Sequence, residues 1–88
     1  MKLIRSQDKL QAVNAEHIHY IEIFVNVDED EEETGLMDID AHIISGKKDT
    51  LLTLATYNTE AECIRHLDRL LDFLSSTSTS GVYEMPKF

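Results

Sequence analysis

The stretch TEAECIRHLDRLLDFLSS, residues 59–76, decides most of what the sequence predicts about the fold. Its apolar residues recur at intervals of three and four, as on one face of an amphipathic helix. These residues are Cys63, Ile64, Leu67, Leu70, Leu71 and Leu74. Thr59 and Glu62 have the spacing of a capping box, in which the hydroxyl accepts from a backbone N–H three residues on. We expect one long helix over 59–76, with its stripe on a sheet and His66 facing water.

Three stretches before this helix have the composition of strands. Residues 17–27 are rich in β-branched and aromatic side chains. Residues 37–45 alternate apolar and polar, which is typical of a half-buried strand, and residues 50–57 form a third candidate strand. Because the connections are short, they favour an antiparallel meander. The predicted core positions on these strands are Ile21, Ile23, Val25, Met37, Ile39, Ile43, Leu52 and Leu54.

The two ends of the chain add shorter elements. Residues 2–5 and 10–13 predict a small hairpin, and residues 82–85 predict a short final strand after a Ser/Thr-rich link at 75–81. A length of 88 residues suits one domain, 1–88. The predicted class is α+β: an antiparallel β-meander of four to five strands, with one long C-terminal helix packed on one face and a short final strand.

The net charge of −9 is concentrated in one segment. Residues 28–33 are all acidic: Asp28, Glu29, Asp30, Glu31, Glu32 and Glu33. Outside this run, eleven acids face eight bases, so the rest of the domain is close to neutral. We expect residues 28–35 to form a flexible acidic loop. Such a loop repels nucleic-acid backbones and allows a basic partner.

The acidic run is also a candidate calcium site, because oxygen ligands suit this cation. An EF-hand loop needs Gly at its sixth position and a bidentate Glu at its twelfth. Counted from Asp28, these positions are Glu33 and Ile39. A solvated hairpin loop is therefore the favoured interpretation, with docking of a basic partner as the second.

The sequence predicts a cytoplasmic protein without a membrane anchor. Its first eight residues lack the apolar core of a signal peptide, and no apolar run approaches the ~20 residues of a membrane span. The single cysteine, Cys63, has no second cysteine with which to form an intramolecular disulfide.

His17 and His19 are the candidate metal ligands, since they alternate on one face of a strand. A zinc site needs three or four converging ligands, and His42 is predicted to lie away from this pair. We expect two partly exposed histidines and no bound metal or cofactor. A small metal- or ligand-binding protein using His17 and His19 remains the alternative function.

Catalysis has little support in the sequence. The three glycines are scattered, so they form no phosphate-binding loop. Cys63 and His66 lie three residues apart on the predicted helix, but with Cys63 toward the core and His66 toward water they are not expected to form a reactive pair. We expect the protein not to be an enzyme.

The strongest functional hypothesis from the sequence is that the protein binds a partner or a second copy through the sheet face that the helix leaves uncovered. One helix covers one face of the sheet, which leaves apolar residues on the other. The predicted interface residues are Ile18, Tyr20, Phe24 and Ile44, with Leu51 beside them. We therefore expect a non-catalytic protein–protein interaction or self-association module, a homo-oligomer or the binder of a protein partner.

Three short segments carry a resemblance to a known group. They are SQDK followed by VN (residues 6–9 and 13–14), YNTEAE (57–62) and VYEMP (82–86). Together they resemble small uncharacterised proteins of low-GC Gram-positive bacteria and their phages. The acidic stretch 28–34 is longer and more charged than the connection usual in that group. The resemblance implies a bacterial or phage accessory protein and assigns no site residues.

Overall fold

The computed structural model of the chain describes residues 1–77 and 80–87. In chain order the elements are β1 (Lys2–Arg5), β2 (Ala12–Asn14), a 3₁₀ turn (Ala15–His17), β3 (Ile18–Val27), β4 (Glu33–Ser45), β5 (Lys48–Tyr57), α1 (Glu60–Ser75) and β6 (Gly81–Glu84). The predicted α+β class, with an antiparallel sheet and a single α-helix in the described residues, is confirmed. The predicted position of the helix at the C-terminal end was wrong, because α1 lies within the chain and β6 follows it.

The strands form two three-stranded sheets instead of the single sheet of four to five strands that was predicted. Strands β3, β4 and β5 make the antiparallel meander. The second sheet has the order β2-β1-β6, in which β1 and β2 form the predicted antiparallel hairpin. The final strand β6 pairs with β1 in parallel, so it closes this second sheet and does not extend the meander.

The acidic turn between β3 and β4 is organised by Asp28. Its carboxylate oxygen Oδ1 accepts hydrogen bonds from the backbone N–H groups of Asp30 and Glu32, at 2.8 and 3.1 Å. Strand β4 already begins at Glu33, which pairs with Val27. The turn therefore covers residues 28–32 and is shorter than the loop predicted over 28–35.

The predicted helix cap is confirmed at Thr59, whose hydroxyl accepts from the N–H of Glu62 at 3.1 Å. The buried face of α1 differs from the predicted stripe. Cys63, His66 and Leu70 are buried, whereas Ile64 and Leu71 are exposed. Each residue advances about 100° around a helix, so residues next to Cys63 and Leu70 turn away from the meander. The expectation that His66 faces water was wrong.

The core lies between the inner face of the meander, α1 and the second sheet. The predicted strand residues Ile39 and Leu54 are fully buried, and further predicted positions pack against this core: Ile21, Ile23, Met37, Ile43 and Leu52. Val25 is only partly buried. The second sheet contributes Ile4, Val13 and the residue after β6, Met85.

A lysine from β1 caps the end of α1. The Nζ atom of Lys2 donates to the carbonyl oxygens of Phe73 and Leu74, at 2.6 and 3.0 Å, and to that of Ser76. The last turn of α1 has no basic residue of its own. Lys2 therefore supplies the positive charge that stabilises the negative end of a helix dipole. Among the described residues, none of the helical segments combines the length and the hydropathy that a membrane span needs.

Gln7 joins the meander to the C-terminal segment. Its backbone N–H donates to the carbonyl of Leu54 at 2.7 Å, and its side-chain oxygen accepts from the N–H of Thr56 at 3.0 Å. Its side-chain nitrogen lies 3.2 Å from the carbonyl oxygen of Pro86. The link predicted over residues 75–81 lies partly outside the described residues, at Ser78 and Thr79.

Leu70 and Leu71 form a matched pair that tests the packing of α1. Leu70 is fully buried and Leu71 is 46 % exposed. We expect Leu70→Ala to lower the free energy of unfolding by about 2 to 5 kcal/mol, and Leu71→Ala by less than about 1 kcal/mol. Urea unfolding of both variants measures this difference. Equal losses would contradict the helix orientation described here.

Replacing Lys2 tests the helix cap. Lys2→Met keeps much of the aliphatic stem but removes the charge and its three hydrogen bonds. We expect a loss of about 1 to 2 kcal/mol in unfolding free energy, the range for a cation at a partly buried helix C-terminus. Lys47→Met, at an exposed lysine between β4 and β5, controls for the change in net charge. The cap has no energetic role if the two variants unfold at the same urea concentration.

Candidate functional site

The face of the meander that points away from α1 is called the outer face. It consists of Tyr20, Glu22, Phe24 and Asn26 on β3, Asp38, Asp40, His42 and Ile44 on β4, and Asp49, Leu51, Thr53 and Thr56 on β5. The strand register arranges most of these side chains in cross-strand rows. The rows are Tyr20–His42–Leu51, Glu22–Asp40–Thr53 and Phe24–Asp38–Thr56.

A β-bulge at Leu54 makes the third strand fit this pattern. The register shifts between Ile39 and Asp40. Ile39 pairs with Ala55 and Asp40 pairs with Thr53, so Leu54 is the extra residue on β5. A bulge changes which positions of a strand share a face. Thr53 and Thr56 therefore both reach the outer face, although they are three positions apart, and Leu54 is buried in the core.

Asp38 lies in the middle of the outer face and is only 8 % exposed. Asn26 donates from its side-chain nitrogen to both carboxylate oxygens, at 3.0 and 3.1 Å. The Thr56 hydroxyl donates to Oδ1 at 2.6 Å. All these donors are neutral, and no ion pair of Asp38 occurs within the described ranges. The carboxyl group of Asp38 is therefore hydrogen-bonded but forms no salt bridge.

Asp40, the next outward residue of β4, is 5 % exposed. It accepts a hydrogen bond from the Thr53 hydroxyl at 3.0 Å. Burial raises the pKa of its carboxyl group, and the negative charges of Asp38 and Glu22 raise it further. Two buried carboxyl groups thus lie on the same face of β4, and neither forms a salt bridge in the part of the chain that the structure describes.

His42 continues this line toward the other end of β4. Its Nε2 atom lies 2.7 Å from Oε1 of Glu22. The ring of Tyr20 stacks on the His42 ring, with centroids 3.9 Å apart and planes inclined by 14°. These contacts hold Tyr20 in a defined position, so an exposed aromatic ring is ordered by a polar neighbour.

Apolar side chains flank the carboxylates at both ends of the outer face. Tyr20 is 46 % and Phe24 56 % exposed, and Ile44 and Leu51 are also exposed. Ile18, which was predicted to belong with them, packs against the core instead. The reason is a register shift between Ile18 and Tyr20, which pairs Ile18 with Ile43 on the inner side.

The two histidines proposed as metal ligands lie near the start of β3. His17 ends the 3₁₀ turn, His19 lies at the register shift, and both are exposed. Among the residues that the structure describes, no group of three His, Cys, Asp or Glu side chains converges as metal ligands. The metal-binding alternative therefore gains no support from this geometry.

Cys63 and His66 are both buried under the meander. The His66 ring stacks on Tyr57, with centroids 4.3 Å apart, and neither ring nitrogen has a hydrogen-bond partner in the described residues. Burial lowers the pKa of His66, as do the charges of Arg65 and Arg69. Burial also raises the pKa of the Cys63 thiol, which disfavours the thiolate that nucleophilic catalysis needs.

The acidic turn lies at the tip of a projecting hairpin. Strand β5 ends at Tyr57, opposite Met37, while β3 and β4 continue to the Val27–Glu33 pair. The tip is thus displaced from the carboxylates of the outer face along the same two strands.

The line of polar side chains along β4 was not predicted as a site from the sequence. The alternation of residues 37–45 nevertheless assigned its members, Asp38, Asp40 and His42, to one face.

Asp40→Asn tests whether the outer face carries an uncompensated charge. Because the folded-state pKa of Asp40 is raised above 3.8, its ionisation lowers the unfolding free energy at neutral pH. We expect the variant to be at least as stable as the wild type at pH 7. This advantage should shrink as the pH falls through the raised pKa toward 3.8.

Denaturant unfolding across this pH range measures the effect. Asp49→Asn removes the same charge from an exposed position of the outer face and is the matched control. A marked loss of stability in Asp40→Asn at pH 7 would show that the ionised carboxylate is stabilising, contrary to the geometry.

Comparisons with family models, curated proteins and solved structures found no match to this chain. The resemblance to small proteins of Gram-positive bacteria and their phages therefore stays a prediction.

Proposed function

We propose that the protein is a non-catalytic interaction module that binds another protein through its outer face. The observation that carries this proposal is the arrangement of exposed Tyr20 and Phe24 beside the desolvated carboxylates of Asp38 and Asp40. Aromatic residues are enriched in protein interfaces, where they form much of the buried contact area. An exposed apolar patch with a polar centre is typical of such a site.

The charge of the outer face supports a partner with basic side chains. Glu22, Asp38, Asp40 and Asp49 lie on this face, and His42 is the one basic residue among the residues that define it. Two copies packed face to face would place these acids against each other, at a cost of like-charge repulsion. An arginine of a different protein would instead supply the positive charge that the two buried carboxylates lack.

Three further features support this proposal. Cys63 and His66 are buried, which places them away from any substrate at the surface. The acidic composition disfavours nucleic acid as the partner. A cytoplasmic accessory protein of a bacterium or phage, as the sequence suggests, would have its single cysteine in a reducing compartment.

Selection from an unbiased peptide display library tests the proposed surface. We expect the enriched peptides to combine Arg or Lys with aromatic or aliphatic residues. Amide shifts on titration of the labelled protein should map to Tyr20–Phe24 and to the facing residues of β4. Phe24→Ala should weaken binding by about tenfold or more, as expected for a central interface aromatic.

Ile64→Ala is the matched control, since Ile64 is an exposed apolar residue on α1. It should bind the selected peptides as the wild type does. The proposal fails if the enriched peptides are acidic or neutral, or if the amide shifts map to α1.

A further inference from the structure

Strand β3 forms an open edge of the meander. It runs over Ile18–Val27, and the sheet pairs it with β4 alone. Register shifts occur near both ends, between Ile18 and Tyr20 and between Val25 and Val27, and leave a regular stretch over Tyr20–Val25. No backbone hydrogen bond from outside the β3–β4 ladder reaches this stretch in the described ranges. Its outward N–H and C=O groups are available to another strand.

The usual protections of an edge strand are weak here. Natural edges carry lysine, proline or inward-pointing charges that prevent pairing with another chain. Residues 18–27 contain neither lysine nor proline, and Glu22 is their single acidic residue. On the inner side, Ile21, Ile23 and Val25 are only partly buried, and on the outer side Tyr20 and Phe24 are exposed. Pairing of this edge would bury apolar surface on both faces.

We propose that a second copy of the chain pairs with this edge, β3 against β3 in antiparallel orientation, about a two-fold axis at Ile23. The two meanders then form one six-stranded sheet with both outer faces on the same side. Such an interface is isologous, because the same surface is used by both copies.

The side chains of β3 select this register. Opposed residues of an antiparallel pair lie on the same face. With the axis at Ile23, Ile21 meets Val25 of the second copy on the inner face, and Glu22 meets its Phe24 on the outer face. An axis one residue earlier would place the two Glu22 carboxylates directly opposite each other. The Ile23 register pairs Ile21–Val25, within the regular stretch, with the same residues of the second copy and avoids that repulsion.

The ends of the strand are also complementary as hydrogen-bond donors and acceptors. In the Ile23 register, the acidic turn that begins at Asp28 lies beside the start of β3 in the second copy. That start carries His17 and His19, both exposed. Their ring N–H groups can donate to the carboxylates of the turn. This complementarity gives the two histidines a role that does not involve a metal.

This pairing uses the strand edge, so it stands whether or not the outer face binds a partner. It nevertheless enlarges that face, since Tyr20 and Phe24 of both copies line the junction between the two meanders. Peptide binding by a wild type that stays monomeric would leave the proposed function intact and overturn only the dimer.

Cysteine cross-linking tests the register. In a Cys63→Ala background, Glu22→Cys and Phe24→Cys are made as separate proteins and mixed under mild oxidation. Directly opposed Cα atoms lie about 4.5 to 5.5 Å apart, within disulfide range. We expect the mixture to form a disulfide-linked dimer far more than either variant alone. Leu51→Cys, on the same face but away from the edge, should not cross-link.

Sedimentation velocity at micromolar to millimolar concentration tests the association itself. We expect the wild type to have twice the mass of the monomer. Val25→Lys places a charge on the inner side of the edge and should halve that mass, whereas Leu71→Lys on α1 should not. A wild type that stays monomeric, or a folded Val25→Lys that stays dimeric, overturns the proposal. If Val25→Lys unfolds, the cross-linking result decides.

Discussion

The alternation of β4 is the constraint on which the rest of the structure depends. A strand hydrogen-bonded on both sides cannot rotate, so its successive side chains must point to opposite faces. Ile39 and Ala41 are thereby committed to the core, and Asp38 and Asp40 to the outer face. Strands β3 and β5 add apolar neighbours on the inner side, where α1 covers them. The same pairing forces two carboxylates into the crowded centre of the opposite face.

These carboxylates show how the fold tolerates charge without neutralising it. Asp38 and Asp40 receive hydrogen bonds from side chains of the neighbouring strands, namely the Asn26 amide and the hydroxyls of Thr53 and Thr56. Removing a carboxylate from water costs several kcal/mol unless its oxygens are well satisfied. Burial raises the pKa of Asp40, so its ionised carboxylate lowers the stability of the fold at neutral pH. Departures of this kind concentrate at functional sites, which is why the outer face is the region of interest.

Local sequence patterns predicted the helix and the central strand. The features that the sequence did not predict depend on how the strands pair over long range. The cap at Thr59 and the alternation of residues 37–45 gave the helix and the central strand correctly, because each depends on neighbours a few residues away. The bulge at Leu54 and the register shift before Tyr20 have no period, so the orientation of Ile18 could not be read from its spacing. The buried position of His66 could have been predicted from the sequence, since His66 lies three residues from Cys63 and four from Leu70 on one helical face.

The parallel pairing of β1 with β6 has a consequence for synthesis. The strands of the meander and α1 follow one another closely in the chain. Strand β1 (Lys2–Arg5), by contrast, pairs with β6 (Gly81–Glu84), which the ribosome synthesises only after α1. Closing so long a loop carries an entropic cost that grows slowly with its length. Until then Ile4 lacks the strand that completes its sheet, and the end of α1 must form before Lys2 can cap it. Strand β1 is therefore synthesised before β6 but gains its second neighbour only after α1 has been made, and during this interval its edge stays unpaired.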